Sequence, residues 1–392
     1  MLTEERVAAA SPPDLPHPAG AVLAYEPVRD LPAWDNVAAA WEDAARRAGA
    51  FYLSHAFLRA WWDCYGTGRL DLGCVRSGER LVALAPLCRR RRRLMGLPAR
   101  SVENLFNAHL CRSEIALLER EDEALRLVLD ALGREPWDVF LLREVPERSR
   151  LLELLPAACR ARGWALRTRH SLDSPYVSIA GDWESFLATR SKQFRKSIRQ
   201  KRRRLVETGT ASFECARGPA AIDAVMPEVM QVAERSWTGE RGSSIASPRN
   251  KAFYERFFRE FARSDNLRIW TLRMGGKLAA FEAHVTWGRM AAPLKVAYDP
   301  EFAELSVGSV LDAHAMEAAF GGGEFDRYDL LGKDEPYKMR WTDLVERHVE
   351  VFVFNRRPAS RLFRLLEFGL RPRLGAVKRA AVRMLPKKEA PE

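Results

Sequence analysis

The chain has 392 residues, of which 47% are hydrophobic and 10% aromatic. That composition excludes global disorder and provides enough apolar material for two packed domains. The formal net charge of +11 favours anionic partners, such as phosphates, nucleic acid, acidic glycans or an anionic membrane surface. No long uninterrupted apolar run occurs, which argues against a membrane-spanning helix.

Residues 1–20 form a proline-rich leader, for which we predict disorder. We assign an N-terminal domain to residues 21–170. Its predicted elements are helices within 34–65, a hairpin around Ser77-Gly78-Glu79, a helix at 121–132, a strand at 137–142 and a helix at 149–162. The arginine run Arg89–Arg93 is expected at an exposed strand end.

A C-terminal domain is assigned to residues 171–355, and a basic tail to residues 356–392. Its predicted elements are helices at 191–207, 221–235, 250–263 and 308–320, a hairpin around Gly275-Gly276, and strands in PLKVAYD, FDRYDLL and HVEVFVF. The order of elements predicts an α/β fold with mixed, mostly antiparallel sheets. It differs from the regular βαβ alternation of a Rossmann sheet.

An internal repeat is the main organisational feature of the sequence. A shift of 197 residues superimposes an aromatic helix, a strand, a glycine turn and a second strand on their counterparts. The aligned pairs are Phe57 with Tyr254, Trp61 with Phe258, Leu70 with Leu267, Leu72 with Ile269, Arg76 with Arg273, Gly78 with Gly275, Arg80 with Lys277 and Leu81 with Leu278. We therefore predict two copies of one α/β unit.

Common catalytic and cofactor motifs are absent from the sequence. It contains no GxGxxG, GxxxxGK[ST], HExxH or GxSxG pattern, and no two histidines have helical ligand spacing. The six cysteines include no CxxC pair, which argues against a zinc ribbon and fits a reducing compartment. We expect no metal site.

Two segments of the second half have the composition of a functional site. In LKVAYDPEFAELSVGSVL a strand is followed by a loop and by a helix that starts near Gly308. The free N–H groups of a helix N-terminus suit a pyrophosphate, and a glycine lets the phosphate approach the backbone. Downstream, DLLGKDEPYKMRW crowds charges and two aromatic residues at a strand end.

These two segments, preceded by SKQFRKSIRQKRRRL, resemble the CelD-like (BioF2-like) acetyltransferase family of the GNAT superfamily. That family is similar to the FemAB-type peptidoglycan aminoacyltransferases, which contain tandem GNAT domains. The resemblance is clear over about residues 170–355. It implies tandem GNAT-like domains, acyl transfer in the second domain, and a degenerate first domain that walls one side of the acceptor groove.

The resemblance also implies roles for individual residues. The loop Ser306, Val307, Gly308, Ser309 and Val310 corresponds to the pyrophosphate loop of the family, although no Arg or Gln opens it. The donor therefore remains open between acetyl-CoA, an acyl carrier protein and an aminoacyl-tRNA. Tyr337 and Lys338 correspond to the family's YK pair, in which the lysine is expected to hold the donor or the developing oxyanion.

Acyl transfer to an amine or hydroxyl also requires a base. Glu282 lies in the otherwise apolar segment AAFEAHV, where burial raises the pKa of a carboxyl group toward a useful range. Asp299 and His314 are weaker candidates. The predicted substrate-binding residues are Arg195, Lys295, Trp237 and Trp341.

Two basic segments suggest further partners. The helix Lys192–Arg204 has eight Lys or Arg in thirteen positions, which suits an anionic acceptor, a phosphate-bearing donor or tRNA, or simply a solvated helix face. Residues 356–388 have eleven Lys or Arg and an apolar side. This pattern is typical of an amphipathic helix that lies on an anionic membrane, or of one packed on the protein's own surface.

The leading hypothesis is N- or O-acetyl transfer from acetyl-CoA to an envelope- or exopolysaccharide-related acceptor, either a glycan or a small molecule. The alternatives are Fem-like transfer from aminoacyl-tRNA and a catalytically inactive repeat protein that binds polyanions. We expect a cytoplasmic protein, with peripheral attachment to the inner face of the membrane as a further possibility.

Overall fold

The computed structural model describes residues 22–94, 96–107, 109–110, 112–236 and 244–371. The strands are Leu23–Val28 (β1), Arg69–Leu70 (β2), Leu72–Ser77 (β3), Arg80–Ala85 (β4), Leu87–Leu94 (β5), Leu97–Asn104 (β6), Ala116–Leu117 (β7), Val139–Pro146 (β8), Ala165–Ser178 (β9), Ala211–Arg217 (β10), Leu267–Met274 (β11), Lys277–Trp287 (β12), Met290–Tyr298 (β13), Arg327–Asp329 (β14) and Val345–Phe354 (β15).

The α-helices are Leu31–Asn36 (α1), Ala38–Arg47 (α2), His55–Tyr65 (α3), Glu121–Gly133 (α4), Arg150–Ala161 (α5), Trp183–Ala188 (α6), Lys192–Glu207 (α7), Gly218–Arg235 (α8), Pro248–Arg263 (α9), Val307–Gly321 (α10) and Pro358–Leu365 (α11). Short 3-10 helices cover Phe51–Leu53, Pro300–Leu305 and Lys338–Arg340, and a π-helical turn covers Leu366–Leu370. Within the described residues, no helix combines the length and apolar character needed to cross a bilayer.

The strands form a four-stranded sheet, β1-β3-β4-β7, and an eleven-stranded sheet, β10-β11-β12-β13-β14-β9-β15-β8-β6-β5-β2. The pairing is antiparallel except at β6–β8 and β13–β14. The prediction of an α/β fold with mixed, mostly antiparallel sheets is confirmed. We call the elements up to β9 the first unit and those from α6 to β15 the second unit.

The two units exchange strands at the centre of the large sheet. β9 and β15 pair with each other in antiparallel fashion over Ala165–Pro175 and Val345–Phe354. β9, from the first unit, also pairs with β14 of the second, and β15 pairs with β8 of the first. In the eleven-stranded sheet each unit therefore contributes a strand that pairs with strands of the other unit.

The predicted repeat is visible at the level of single hydrogen bonds. The β3–β4 hairpin has a bulge between Val75 and Arg76, and the β11–β12 hairpin has one between Leu272 and Arg273, 197 residues later. Arg76 Nη1 donates to the carbonyl of Glu79 and Arg273 Nη1 to that of Gly276, both over 3.0 Å and again 197 residues apart. Such agreement of bulge and side-chain contact supports duplication, because bulges are conserved features of related sheets.

The repeated aromatic helices α3 and α9 pack against each other. The ring of Phe57 lies edge-on to that of Phe257, with 4.7 Å between centroids, and also contacts Phe253 and Phe261. All four side chains are buried. Phe57, one of the aromatic positions that reveal the repeat, therefore lies in the apolar contact between the two units, where burying each ring removes a large apolar area from water.

Some sequence expectations need correction or lie outside the described residues. Arg89–Arg93 form most of strand β5 rather than a strand end, and part of this run is neutralised, since Arg89 pairs with Asp71 and Arg92 with Glu103. β1 and the long β9, which spans the predicted domain boundary, were not anticipated. The leader at residues 1–20 and residues 372–392 of the tail lie outside the described residues.

Candidate functional site

The second unit contains an open junction between two parallel strands. β13 and β14 pair only at Met290–Arg327 and Ala291–Tyr328. Beyond these pairs β13 continues to Tyr298, and its edge has no strand partner among the described residues. The register of β13 with β12 also shifts beside Ala283, which marks an irregularity at this point. A free strand edge offers N–H and C=O groups to an extended ligand that carries amides.

Helix α10 begins at the end of this junction. Ser306 precedes it in the left-handed conformation (φ 55°), and the first turn of the helix contains no acidic residue. Gly308 lies against the ring of Tyr298, and a Cβ on it would come within 3.3 Å of Tyr298 Cδ1. The unpaired N–H groups and the positive end of the helix dipole favour an anion at this position.

A cation of another helix reaches this first turn. Lys201 of α7 donates from Nζ to Ser309 Oγ over 3.3 Å. Burial, followed by the nearby charge of Arg340, lowers the pKa of Lys201. Lys201 therefore reaches the N-terminus of α10, and a phosphate group there would pair with both the ammonium and the free N–H groups.

A buried acid–base cluster lies beneath the junction. Glu282 and His284 are two residues apart on β12, so their side chains lie on the same face of the sheet, toward α10. His284 Nε2 is 2.8 Å from Glu282 Oε2. Burial raises the pKa of Glu282 to about 8 and lowers that of His284 to about 3. Both groups are therefore neutral at pH 7, and the Glu282 carboxyl can donate its proton to the imidazole.

A second carboxyl group from α10 joins this cluster. Burial, followed by the charge of Glu282, raises the pKa of Asp312, whose Oδ2 accepts a 2.7 Å hydrogen bond from the indole of Trp341. Burial raises both pKa values, and the charge of one carboxyl group opposes ionisation of the other, so the pair ionises above the usual carboxyl range. In the described part of the chain no group of three or more His, Cys, Asp or Glu is placed to hold a metal ion.

The loop after β14 has an unusual backbone held by Lys338. Leu331 (φ 51°) and Gly332 (φ 60°) are successive left-handed residues. Lys338 Nζ donates to the carbonyls of Leu331 (2.8 Å) and Lys333 (3.3 Å) and lies 3.1 Å from the Glu335 carboxylate. All three N–H groups of an ammonium are thereby engaged. This arrangement favours a positioning role for Lys338, and its role as oxyanion donor stays a prediction.

Tyr337 stands at the solvent side of the same loop, with half of its surface exposed. Partial burial and the charge of Glu335, followed by the charges of Asp312 and Glu282, raise its pKa. The phenol therefore keeps its proton at neutral pH, where it is hydrogen-bonded to the Glu335 carboxylate. The charges of Asp312 and Glu282 act on Tyr337 across this loop, and a shared catalytic site of these residues stays a prediction.

Three predicted substrate-binding residues have different surroundings. Trp341 is buried at 3% exposure and packs edge-on against Phe194. Its indole N–H donates to Asp312, so the side chain positions that carboxyl group. Arg195 donates to the carbonyl of Ala188 over 2.9 Å at the start of α7. Trp237 lies outside the described residues. Direct substrate contact by these residues stays a prediction.

The remaining candidates face other parts of the second unit. Asp299 is the N-cap of the 3-10 helix at Pro300–Leu305 and accepts two hydrogen bonds from Arg235, at 2.8 and 3.0 Å. Lys295 lies 5.3 Å above the ring of Tyr254, on the opposite face of the sheet from Glu282. His314, on α10, has its ring tilted against that of Phe213 with 4.3 Å between centroids, and burial lowers its pKa. The structure brings none of these three into the Glu282–Asp312 cluster.

Sequence reasoning missed His284, Asp312 and Lys201. Asp312 could have been noticed, since it is a carboxylate inside VGSVLDAHAMEAAF, a helix that is apolar on nearly all sides. His284 follows Glu282 by two residues in an apolar strand, a spacing that places both on one face. Lys201 gives no such signal, because it is one of eight cations on α7 and only packing shows which of them faces α10.

A comparison with protein families matches the part of the chain that contains these residues. Residues 192–339 match the family model described as an acetyltransferase (GNAT) domain. This range includes Lys201, Glu282, the start of α10, Asp312 and the loop with Tyr337 and Lys338. No curated sequence shows significant similarity to the chain.

Several solved structures have a similar fold. A crystal structure of FemX aligns with a TM-score of 0.53 at 12% identity, covering 79% of this chain and 93% of that chain. A conserved protein of unknown function from Bacteroides thetaiotaomicron VPI-5482 aligns with a TM-score of 0.50 at 10% identity, covering 85% and 100%. L-PGS from Bacillus licheniformis aligns with a TM-score of 0.48 at 13% identity, covering 79% and 94%. At these identities the likeness shows the fold alone.

Proposed function

Since the chain is an acyltransferase of the GNAT superfamily with a tandem, FemAB-like fold, we propose that its second unit transfers an acetyl group from acetyl-CoA to an amine or hydroxyl. The proposed acceptor is a glycan or small molecule of envelope or exopolysaccharide synthesis. The observation that supports this most directly is the contact of Lys201 with Ser309 in the first turn of α10, beside the open edge of β13.

The proposed donor fits these features in two parts. The amides of the pantetheine arm pair with the free edge of β13, as an added strand does. The diphosphate lies at the N-terminus of α10, where it meets free N–H groups, Lys201 and Arg340. The thioester is then directed toward the loop that carries Tyr337.

The proposed chemistry uses the buried carboxyl groups and the tyrosine. The acceptor amine or hydroxyl attacks the thioester carbonyl and loses its proton to the Glu282–Asp312 pair, whose raised pKa makes it a suitable base near neutral pH. Backbone N–H groups at the irregular edge of β13 stabilise the oxyanion. The carbon–sulfur bond then breaks, and Tyr337 donates a proton to the departing thiolate, which gives the acylated acceptor and free CoA.

A second candidate donor is aminoacyl-tRNA, which the outer face of α7 supports. A groove of about 680 Å³ between α6 and α7 is lined mainly by cations, namely Lys192, Arg195, Lys196, Arg199 and Arg203, with Glu184 as its acid. A row of cations along one groove suits the phosphates of a polynucleotide. Lys201 points away from this groove toward α10, so the two donors would use different faces of one helix.

Parallel donor titrations test the proposal. We expect calorimetry to show saturable binding of CoA, and a radiolabelled assay to show acetyl transfer to an amine- or hydroxyl-bearing glycan. Binding of tRNA with a slope of log K against log salt of roughly −0.9 per phosphate contact or steeper, without CoA binding, would favour the second donor. Polyanion binding without transfer from either donor would instead identify an inactive binding module.

We further propose that the protein is cytoplasmic and attaches peripherally to an anionic membrane through its C-terminal segment. Three leucines there are exposed, Leu362 by 44%, Leu365 by 58% and Leu370 by 41%, and Arg361 and Arg364 lie among them. Phe363 packs inward in the cluster that contains Phe352 and Phe354. Exposed leucines flanked by arginines suit the interface of an anionic bilayer.

Sedimentation with anionic liposomes tests this attachment. We expect the wild-type chain to co-sediment, and the double variant Leu362→Ser/Leu365→Ser to stay in the supernatant without loss of acetyl transfer. The double variant leaves Phe363 in place, so it preserves the packing that a truncation would remove. Equal sedimentation of both proteins would refute the attachment.

A further inference from the structure

We propose that Arg112, which belongs to the first unit, is a positioning residue for the catalytic loop of the second unit. The proposal rests on the function proposed above, in which the loop that carries Tyr337 and Lys338 is part of the active site. Arg112 lies in the segment between β6 and β7, far from that loop in the sequence, and only the tertiary fold brings the two together.

Arg112 binds the end of β14 through a two-point ion pair. Its Nη1 donates to Asp329 Oδ2 over 2.7 Å and its Nη2 to Asp329 Oδ1 over 2.9 Å. Nη2 also donates to Ser174 Oγ over 3.0 Å and lies 3.4 Å from Glu346 Oε2. The side chains of Arg112 and Asp329 are 4% and 0% exposed. A buried, bidentate pair of this kind fixes both orientation and distance.

Asp329 passes this constraint to the loop. Its Oδ1 accepts a 3.0 Å hydrogen bond from the backbone N–H of Leu331, the first of the two left-handed residues. The carbonyl of Leu331 in turn accepts from Lys338 Nζ over 2.8 Å. A continuous series of contacts therefore runs from Arg112 through Asp329 and Leu331 to Lys338, which is adjacent to Tyr337 in the chain.

The electrostatics of the pair fit this role. Burial alone would raise the pKa of Asp329, yet the charges of Arg112 and Arg327 outweigh it and lower that pKa. Asp329 is thus held as a carboxylate, the stronger acceptor for the Leu331 N–H group. Arg327 contacts Asp329 only through Oδ2 (2.9 Å), so Arg112 is the partner that engages both oxygens.

The first unit can provide this contact because its own strand junction is closed. The amide side chain of Asn104 bridges both backbone groups of Arg143 on β8, at 2.9 and 3.0 Å. The following segment does not line an open junction; it crosses to the second unit, where His109 Nδ1 also lies 3.0 Å from Tyr254 Oη. The segment that would border a donor in the first unit thus supports the working loop of the second.

Hydrogen exchange of the substrate-free protein tests the proposal. Arg112→Lys keeps the charge but loses the two-point geometry. We expect amide exchange in residues 330–338 to become roughly tenfold faster, the effect of losing one charge-assisted hydrogen bond. Acetyl transfer should lose roughly tenfold in kcat, with KM for acetyl-CoA within about twofold of wild type, because the donor contacts lie elsewhere.

The matched control is Arg89→Lys, which alters the partly buried Arg89–Asp71 pair of the first unit. We expect it to leave exchange at residues 330–338 and kcat unchanged. If Arg112→Lys does not fold, Ser174→Ala replaces it, with an expected rise of about threefold in exchange. Wild-type exchange rates at 330–338 in a folded Arg112 or Ser174 variant would overturn the proposal. Since exchange needs no substrate, a wild-type protein without transferase activity would refute the proposed function and still leave this test decisive.

Discussion

The two strand junctions of the molecule have the same topology and different contents. In the first unit, β6 and β8 run parallel for three pairs, and Asn104 then continues the contact by bridging the N–H and C=O of Arg143. In the second unit, β13 and β14 pair only twice, and the edge of β13 stays open. One buried amide side chain thus occupies in the first unit the space that a donor would need in the second.

The helices that follow the two junctions differ in the same sense. The first turn of α4 contains Glu121, Asp122 and Glu123, which favour the helix dipole but repel a phosphate. The first turn of α10 has no acidic residue and is approached by Lys201. At the 197-residue offset, Glu282 also corresponds to Ala85. The duplicated hairpins kept their bulges and arginine contacts, whereas Glu282 and the acid-free helix start belong to the second copy.

The largest expected effect comes from replacing Glu282, a carboxylate that the first unit lacks at the corresponding position. Glu282→Gln removes the proposed base but keeps a donor for His284, so folding should persist while turnover falls by roughly 10²–10⁴-fold. A steady-state acetyl transfer assay measures this loss. Glu103→Gln, at a carboxylate of the first unit with 4% exposure, is the control and should retain turnover. Activity of Glu282→Gln near the wild-type level would remove Glu282 from the mechanism.

A smaller effect is expected at the N-terminus of α10, where we place the diphosphate of the donor. Lys201→Met removes the cation beside Ser309, and the dissociation constant for CoA should rise roughly tenfold, the effect of one charge-assisted contact. Calorimetric titration of CoA measures this change. Lys192→Met, on the outer face of the same helix, should leave CoA affinity unchanged. If both variants bind CoA as the wild type does, the anion site at α10 is wrong.

Opening the first junction should affect stability and not catalysis. Asn104→Ala leaves the N–H and C=O of Arg143 without their side-chain partner, and we expect the free energy of unfolding to fall by about 1–3 kcal/mol. Urea unfolding measures this, with Asn36→Ala at an exposed helix end as control. Turnover should stay within about twofold of wild type. A loss of turnover comparable to that of Glu282→Gln would mean that the first junction is not merely structural.

A further expected difference is a pH dependence of stability to which the buried carboxyl pair of the second unit contributes. The pKa of Glu282 is raised to about 8 in the folded chain, so the native state holds a proton that the unfolded state releases above its ordinary pKa. Stability should therefore fall as pH rises from about 4.5 to about 8, by roughly 1 kcal/mol per pH unit for each retained proton. Turnover should rise over the upper part of this range as the base ionises.

Unfolding of Glu282→Gln at several pH values isolates this contribution. The amide does not titrate, so the fall in stability between pH 4.5 and 8 should be shallower than in the wild type. Glu103→Gln should not make the fall in stability shallower in the same way, because the pKa of Glu103 is lowered. Burial alone would raise that pKa, but the hydrogen bond from Ser101 and the charge of Arg92 outweigh it. Identical slopes for Glu282→Gln and wild type would contradict the raised pKa.

Local sequence patterns were sufficient for most of the regular elements. The apolar periodicity of α9 and the glycine turn at Gly275 follow from nearest-neighbour chemistry, and the 197-residue repeat follows from comparing such patterns. β9 could not be predicted in this way. Its residues alternate little, because its place in the sheet depends on β15 and β14, which lie more than 150 residues away.

The sequence by itself therefore determined the fold class, the duplication, the strand–loop–helix at Gly308 and the position of Glu282 in an apolar strand. Only the tertiary structure decided which junction is open, which of eight cations on α7 reaches Ser309, and that Asp312 shares a site with Glu282. The physical reason is that hydrogen-bonded elements form from residues close in the chain. The pKa values and contacts of a site depend on burial and on partners that long-range packing brings together.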